Sequence, residues 1–389
     1  MSDTTGKISV RRLTPEGNVR ACLCGRRSSH PQIMETAGPR RMRLIAGIAI
    51  LFSVAVAPTS SLAGIIGAPI TAGGYTFINF DPTLTGNAVG SNVNSISNTG
   101  QVAGTTVDGN NASTFTNFTG TPGATTVLNT GAGQIAFGIN SGGDVVGGNG
   151  TNALFLAHGG SLQNLATPPG AINAFGINDK GNIVGQFTSG ANIPGFILTS
   201  SSSNAFTTVN QPGGVTSDVI NAQGINNNGF VVGFYLGNDG QVHGFTANMP
   251  GSPGNISAVA VLDPVIPAVP GEPGATFVFS QILGINDSDI AVGYYGDSTT
   301  SQHGFLYNTT TQAYTFLDDP AAQFDNGVVV TQITGITNSG EIAGFYTDAN
   351  GIAHSFIASP VPEPSSLILG VVGLGALGLN LFRRRRPAA

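Results

Sequence analysis

Residues 177–185 read Ile-Asn-Asp-Lys-Gly-Asn-Ile-Val-Gly, INDKGNIVG, and the chain repeats this phrase in altered spelling. It stands as ISNTGQVAG from Ile96, INSGGDVVG from Ile139, INNNGFVVG from Ile225, INDSDIAVG from Ile285 and ITNSGEIAG from Ile336. The starting isoleucines are 43, 38, 48, 60 and 51 residues apart. A period of roughly 40–50 residues belongs to propellers, solenoids and repeat arrays.

The phrase itself reads as turn then strand. Asn178 can accept from the backbone just ahead of it, and Gly181 can take positive φ. Gly185, closing a Val-rich run, marks a strand with other backbone packed close. NIVGQF, without polar alternation, suits a strand buried on both faces. A Phe follows each later isoleucine by 19 or 20 residues: Phe196, Phe245, Phe305 and Phe356. The second unit has Phe155, and the first has Phe115 or Phe118. Aromatic and β-branched stretches such as YTFLDDPAA, and lead-ins such as QITGI, supply two further strands.

Four short strands per unit is the content of a propeller blade. The last unit stops at AHSFIAS and lacks its YTF strand, whereas an unpaired GYTFINF at Gly74–Phe80 precedes the first unit. The expectation is therefore an all-β, six-bladed β-propeller closed by its N-terminal strand. An open β-repeat array is the alternative.

Charge narrows the partners. Between Arg43 and Arg383 the chain has one basic residue, Lys180, against seventeen Asp and Glu. Duplex binding needs phosphate-neutralising Lys and Arg, so no nucleic-acid partner is expected. The two cysteines, Cys22 and Cys24, are too close for an ordinary disulfide and too few for a zinc site. The chain has no G-x-S-x-G elbow, phosphate loop or H-E-x-x-H helix motif.

The ends read as addresses. RRMRLIAGIAILFSVAVAPTSSLAG has a basic start, an apolar run and a small-residue exit, as in a signal peptide cleaved after Ala63. Residues 1–41 are read as a gene-model extension before a start at Met42, or as a long n-region. This gives 42–63 as signal peptide, 64–360 as the β-repeat domain and 361–389 as a C-terminal tail. Leu367–Phe382 is apolar apart from Asn380. As a helix it would span about 24 Å, short of the ~30 Å hydrocarbon core. Arg383, Arg384, Arg385 and Arg386 would stay cytoplasmic, leaving the body outside the inner membrane.

Val361-Pro362-Glu363-Pro364, the short apolar stretch and the arginine cluster together resemble the PEP-CTERM sorting signal. That resemblance implies a Gram-negative exopolysaccharide producer. It also implies recognition and removal of the tail by exosortase, a transpeptidase-like membrane enzyme. The protein would then be transiently anchored before reaching the cell surface or the medium. The body resembles the HAF-repeat family of bacterial extracellular proteins. The resemblance rests on Gly224-Ile225-Asn226 with His243-Gly244-Phe245 and on Gly284-Ile285-Asn286 with His303-Gly304-Phe305. Ser97 and Asp289 depart from it, and units one and two lack the His. The family implies location and architecture, not catalysis.

His243, His303 and His354 hold equivalent positions in successive units. A metal site would require convergence at an axis; the simpler reading gives each a local hydrogen bond within its own hairpin. Asp287 with Asp289, and Asp318 with Asp319, read as turn residues. Asp263, Asp287 and Asp289 form the best candidate acidic site, near the long linker LDPVIPAVPGEPG. No cofactor is expected, although the loops GNDG from Gly237 and DANG from Asp348 leave Ca²⁺ open. The function expected is a non-enzymatic, exported binding or structural component associated with exopolysaccharide. A polysaccharide hydrolase or lyase with acidic residues near the axis is the alternative.

Overall fold

The computed structural model describes residues 64–82, 88–108, 111–128, 133–217, 219–266, 274–323 and 328–361. The expected signal peptide, the Ala63 cleavage position and the tail from Pro362 onward lie outside them. The described residues contain strands and turns and no helix. They form a ring of β-sheets resembling a β-propeller.

Each unit begins with a strand that ends on the phrase's isoleucine: Ala88–Ile96, Ile135–Ile139, Ala171–Ile177, Ile220–Ile225, Phe277–Ile285 and Thr331–Ile336. The turn after it leads to an antiparallel second strand carrying the phrase's last glycine, as in Ile183–Phe187. That strand is buried along its whole length, as the unalternating run NIVGQF requires. Third strands carry the Gly-Phe pair, as in Gly195–Leu198 and Val242–Asn248, and fourth strands lie outside them. Phe118, Phe196, Phe245, Phe305 and Phe356 are all fully buried.

Two glycine positions set the close approaches. A Cβ on Gly185 would lie 2.1 Å from the Asn173 carbonyl oxygen and 2.7 Å from the Phe196 ring. The missing side chain lets the Phe lie flat across the second strand. The glycine before the isoleucine acts between units: a Cβ on Gly176 would lie 2.5 Å from Gln223 O and 3.2 Å from Gly224 Cα. Gly224 meets Gly284, Gly284 meets Gly335, and Gly335 meets Ser95 and Ile96 in the same way. First strands of successive units therefore touch backbone to backbone.

The strands do not divide into six separate sheets. They form five: three of four strands, one of five and one of nine. The nine-stranded sheet arises because Asn173 pairs with Gly148, so the second and third units share a ladder. Glycine at 147 and 148 leaves room for this, since a Cβ on Gly148 would lie 2.5 Å from Asn173 Oδ1. In the five-stranded sheet, Tyr75–Asp81 pairs antiparallel with Ala353–Pro360, and Gly64–Ala72 lies outside it. Phe77 and Phe356 pack there with ring centroids 5.4 Å apart.

Candidate functional site

The Ile-Asn turns gather around one mouth. Ile96, Ile139, Ile177, Ile225, Ile285 and Ile336 line both the mouth and the cavity behind it, and all six are buried. Six isoleucines thus surround both. In front of them, the residue two after each isoleucine links neighbouring units. The backbone N–H of Ser141 donates to Asp179 Oδ1 at 2.8 Å, that of Asp179 to Asn227 Oδ1 at 3.0 Å, and that of Asn227 to Asp287 Oδ1 at 2.7 Å. Asp287 N–H donates to Asn338 Oδ1 at 2.8 Å, and Asn338 N–H to Asn98 Oδ1 at 2.7 Å. Asn98 Nδ2 reaches across to Asp179 Oδ2 at 2.9 Å.

The preceding Asn works in two directions. Asn226 Oδ1 accepts from Asn228 N and Phe230 N within its own turn, while its Nδ2 donates to Asn286 O at 2.9 Å in the next unit. Asn178 and Asn286 do the same toward Asn226 O and Thr337 O. Ser97 and Thr337 keep the local half of this pattern, accepting from Gln101 N and Glu341 N. The capping role is readable from sequence; the reach into the next unit is not.

Behind the isoleucines lies a small cavity of about 90 Å³. Every first strand bulges two residues before its isoleucine. The unpaired residues are Asn94, Phe137, Phe175, Gln223, Leu283 and Thr334, and all six line the cavity. A bulge re-aims one side chain out of register. Phe137 and Phe175 meet at 5.0 Å between centroids, and polar Asn94, Gln223 and Thr334 line the same cavity. Sequence reasoning missed these six. The available signal was variation at one position between a Val, Ala or Ile before it and, in five of the six units, a Gly after it.

The three histidines do not converge; each sits in its own unit between two carboxylates. His243 Nδ1 is 3.0 Å from Asp263 and Nε2 is 3.0 Å from Asp239. His303 Nδ1 is 2.7 Å from Asp318, with Asp297 at 3.7 Å from Nε2. His354 Nδ1 is 2.8 Å from Asp81, with Asp348 at 3.6 Å from Nε2. A tyrosine in register on the second strand covers each ring: Tyr235, Tyr295 and Tyr346, at 5.7, 5.1 and 5.6 Å. Burial lowers the His243 and His354 pKa values, but their paired carboxylates outweigh it and hold both above the usual range.

The candidate acidic residues are held by different partners. Asp263 belongs to His243. Asp287 accepts from Asn227 and Asn338 in the mouth ring. Asp289 takes the glycine position of its turn at φ 58°, and its Oδ1 accepts from Asn226 Nδ2 at 3.0 Å. Asp318 pairs with His303, whereas Asp319 is buried and accepts from Asn79 Nδ2 at 3.3 Å and Ala321 N at 2.7 Å. Burial pushes Asp319 up to about 6. In Asp179, burial opposes ionisation, but donation from Ser141, Asn98 and Asn227 wins and holds its carboxyl below the usual range. In the two loops considered for Ca²⁺, Asp239 and Asp348 accept from Gln241 N and Ile352 N and face His243 and His354. Among the described residues no group of three or more His, Cys, Asp or Glu is placed to hold a metal ion.

Residues 360–386 match the PEP-CTERM protein-sorting motif. That motif implies an exported chain, sorted by exosortase and anchored transiently before surface display or release. No curated protein matches the chain. Among solved structures, a prolyl endopeptidase studied for inter-domain dynamics aligns at TM-score 0.36 and 11% identity, over 73% of this chain and 54% of that one. A lectin of Aleuria aurantia, in complex with Fucalpha1-6GlcNAc, aligns at 0.38 and 10% identity, over 70% and 96%. A puromycin-hydrolyzing peptidase of Mycobacterium tuberculosis aligns at 0.32 and 10%, over 72% and 43%. The chain spans about half the length of these two peptidases. Scores this low bear on neither activity nor ligand.

Proposed function

We propose that the chain is an exported, non-enzymatic surface or matrix protein. Its body is a six-bladed propeller closed by the N-terminal strand, and its tail is a temporary membrane stop. The observation that carries the sorting half is the position of the motif. It starts at Pro360, the last residue of the strand Ala353–Pro360, so the address begins where the ring ends.

Six blades are supported by six bulged first strands around one cavity. Closure is supported by the Tyr75–Pro360 to Phe80–Ser355 register, by Ser91 and Ser355 hydroxyls 2.8 Å apart, and by Gly335 against Ser95. A non-enzymatic role is favoured because Asp263, Asp287 and Asp289 are committed to separate partners. The Gly-Ile-Asn and His-Gly-Phe positions that suggest the HAF-repeat family carry the turn ring and the His–Asp stations. Exopolysaccharide is the ligand class we propose for the body; retention on the producer's own polysaccharide, beyond that of an unrelated exported protein, tests it.

Intact mass of the mature protein tests the reading as a whole. The expected mass lacks residues up to Ala63 and about 25 residues from the C-terminus. A mature chain that keeps Arg383–Arg386 overturns transient anchoring.

A further inference from the structure

We infer that, while the tail holds the chain, the face carrying the Ile-Asn turns looks at the lipid surface and the His–Asp face looks away. This rests on the tail being a membrane stop, as proposed above. The strand Ala353–Pro360 crosses the body from one face to the other. It starts beside the Asp348–Gly351 turn and His354, and ends against the Ile336–Gly340 turn. There Ser359 Oγ donates to Glu341 Oε1 at 2.9 Å, and Val361 N donates to Gly74 O at 2.8 Å. The tail therefore leaves from the turn face.

Length decides the orientation. Pro362–Ser366 separate Val361, which is held to Gly74, from the apolar run that starts at Leu367. Five residues reach at most about 17 Å fully extended, and part of that is used crossing the headgroup layer. The strand spans about 26 Å at ~3.3 Å per residue. The leash is shorter than the body is thick, so the His–Asp face cannot be brought to the bilayer. The turn face has no adhesion of its own to anionic lipid, since Asp179, Asp287 and Glu341 outnumber Lys180. Leash length, not stickiness, sets the orientation, and a ligand of the His–Asp face is reachable before release.

The test uses tail-retaining chain from cells lacking the processing enzyme, with Cys22 and Cys24 replaced by serine. Single cysteines are placed on the turn face (Thr99→Cys, Asn228→Cys) or on the opposite face (Ala191→Cys, Ala349→Cys), all at exposed positions. Each carries a donor fluorophore and is reconstituted into phosphatidylethanolamine–phosphatidylglycerol vesicles with headgroup-labelled acceptor lipid. We expect energy transfer about twofold or more higher from the turn face, the difference set by the ~26 Å strand. A ten-residue Gly-Ser insertion after Val361 should abolish that difference. Co-flotation with equal transfer from both faces overturns the orientation alone. Failure to float with vesicles overturns the membrane stop, and the orientation with it.

Discussion

Asp319 is a carboxylate whose environment opposes its charge. It is 2% exposed, and burial carries it from 3.8 to about 6, helped by neighbouring Asp318. Between those two values the folded state holds a proton that the unfolded state has lost, so stability falls as pH rises through that window. Asp319→Asn keeps an oxygen for Ala321 N and removes the charge. It should raise stability at pH 8 by about 1–3 kcal/mol, with little effect near pH 4; urea melts at the two pH values decide. The pH dependence at His354 has the same sign, although there the fold favours the charged form. Its folded pKa is raised, so its contribution is complete below about 6.5 and is lost as pH rises through the folded value. His354→Gln should therefore lower the melting temperature more at pH 5.5 than at pH 9. The histidines were legible in sequence as a repeated position. Their partners were not, because Asp263 is 20 residues from His243 and Asp81 is 273 from His354, and a repeat fixes spacing within a unit rather than pairing across the seam.

At the scale of the element, one phrase does three jobs. Its first residue lines the mouth, its Asn joins turn to turn, and its glycines admit neighbouring backbone. Substituting Asn226→Ser copies what Ser97 does in the first unit: the local cap survives and the donation to Asn286 O is lost. The expected cost is about 1–2 kcal/mol, read from denaturant melts. Gly176→Ala and Gly181→Ala separate two roles of glycine. At Gly181 nothing lies within 4 Å of a Cβ and the strain is φ +78° alone, so the cost is about 1–2 kcal/mol. At Gly176 a methyl meets Gln223 O and the next first strand must move, costing about 2–3 kcal/mol. Turn and strand were readable because they are local: glycine marks the turn and the missing alternation marks burial. The bulge was not, because one extra residue changes the facing of Phe137 or Gln223 without altering the apolar pattern around it. For the same reason the cavity lining stayed hidden, and so did the shared ladder at Asn173 and Gly148.

At the scale of the molecule, Tyr75–Asp81 pairs with Ala353–Pro360, the seam on which the proposed ring closure rests. The incomplete last unit and the unpaired GYTFINF pointed to this strand pair in the sequence, and hydrogen bonds lie at both ends of it. Asp81 receives His354 and Ser91, and Gly74 receives Val361. The proposed closure would leave no blade edge open at this point for pairing with another copy. Thr76 and Ser359 are opposed across the seam, at a separation that cross-strand geometry makes suitable for a disulfide. The decisive measurement is oxidation of Thr76→Cys/Ser359→Cys, with Cys22 and Cys24 replaced by serine, followed by thermal unfolding of the oxidised and reduced forms. Ring closure predicts an intramolecular bond in most molecules and a higher melting temperature when oxidised, because the bond closes a very long loop. Thiols that stay reduced, or that link only between molecules, would contradict it.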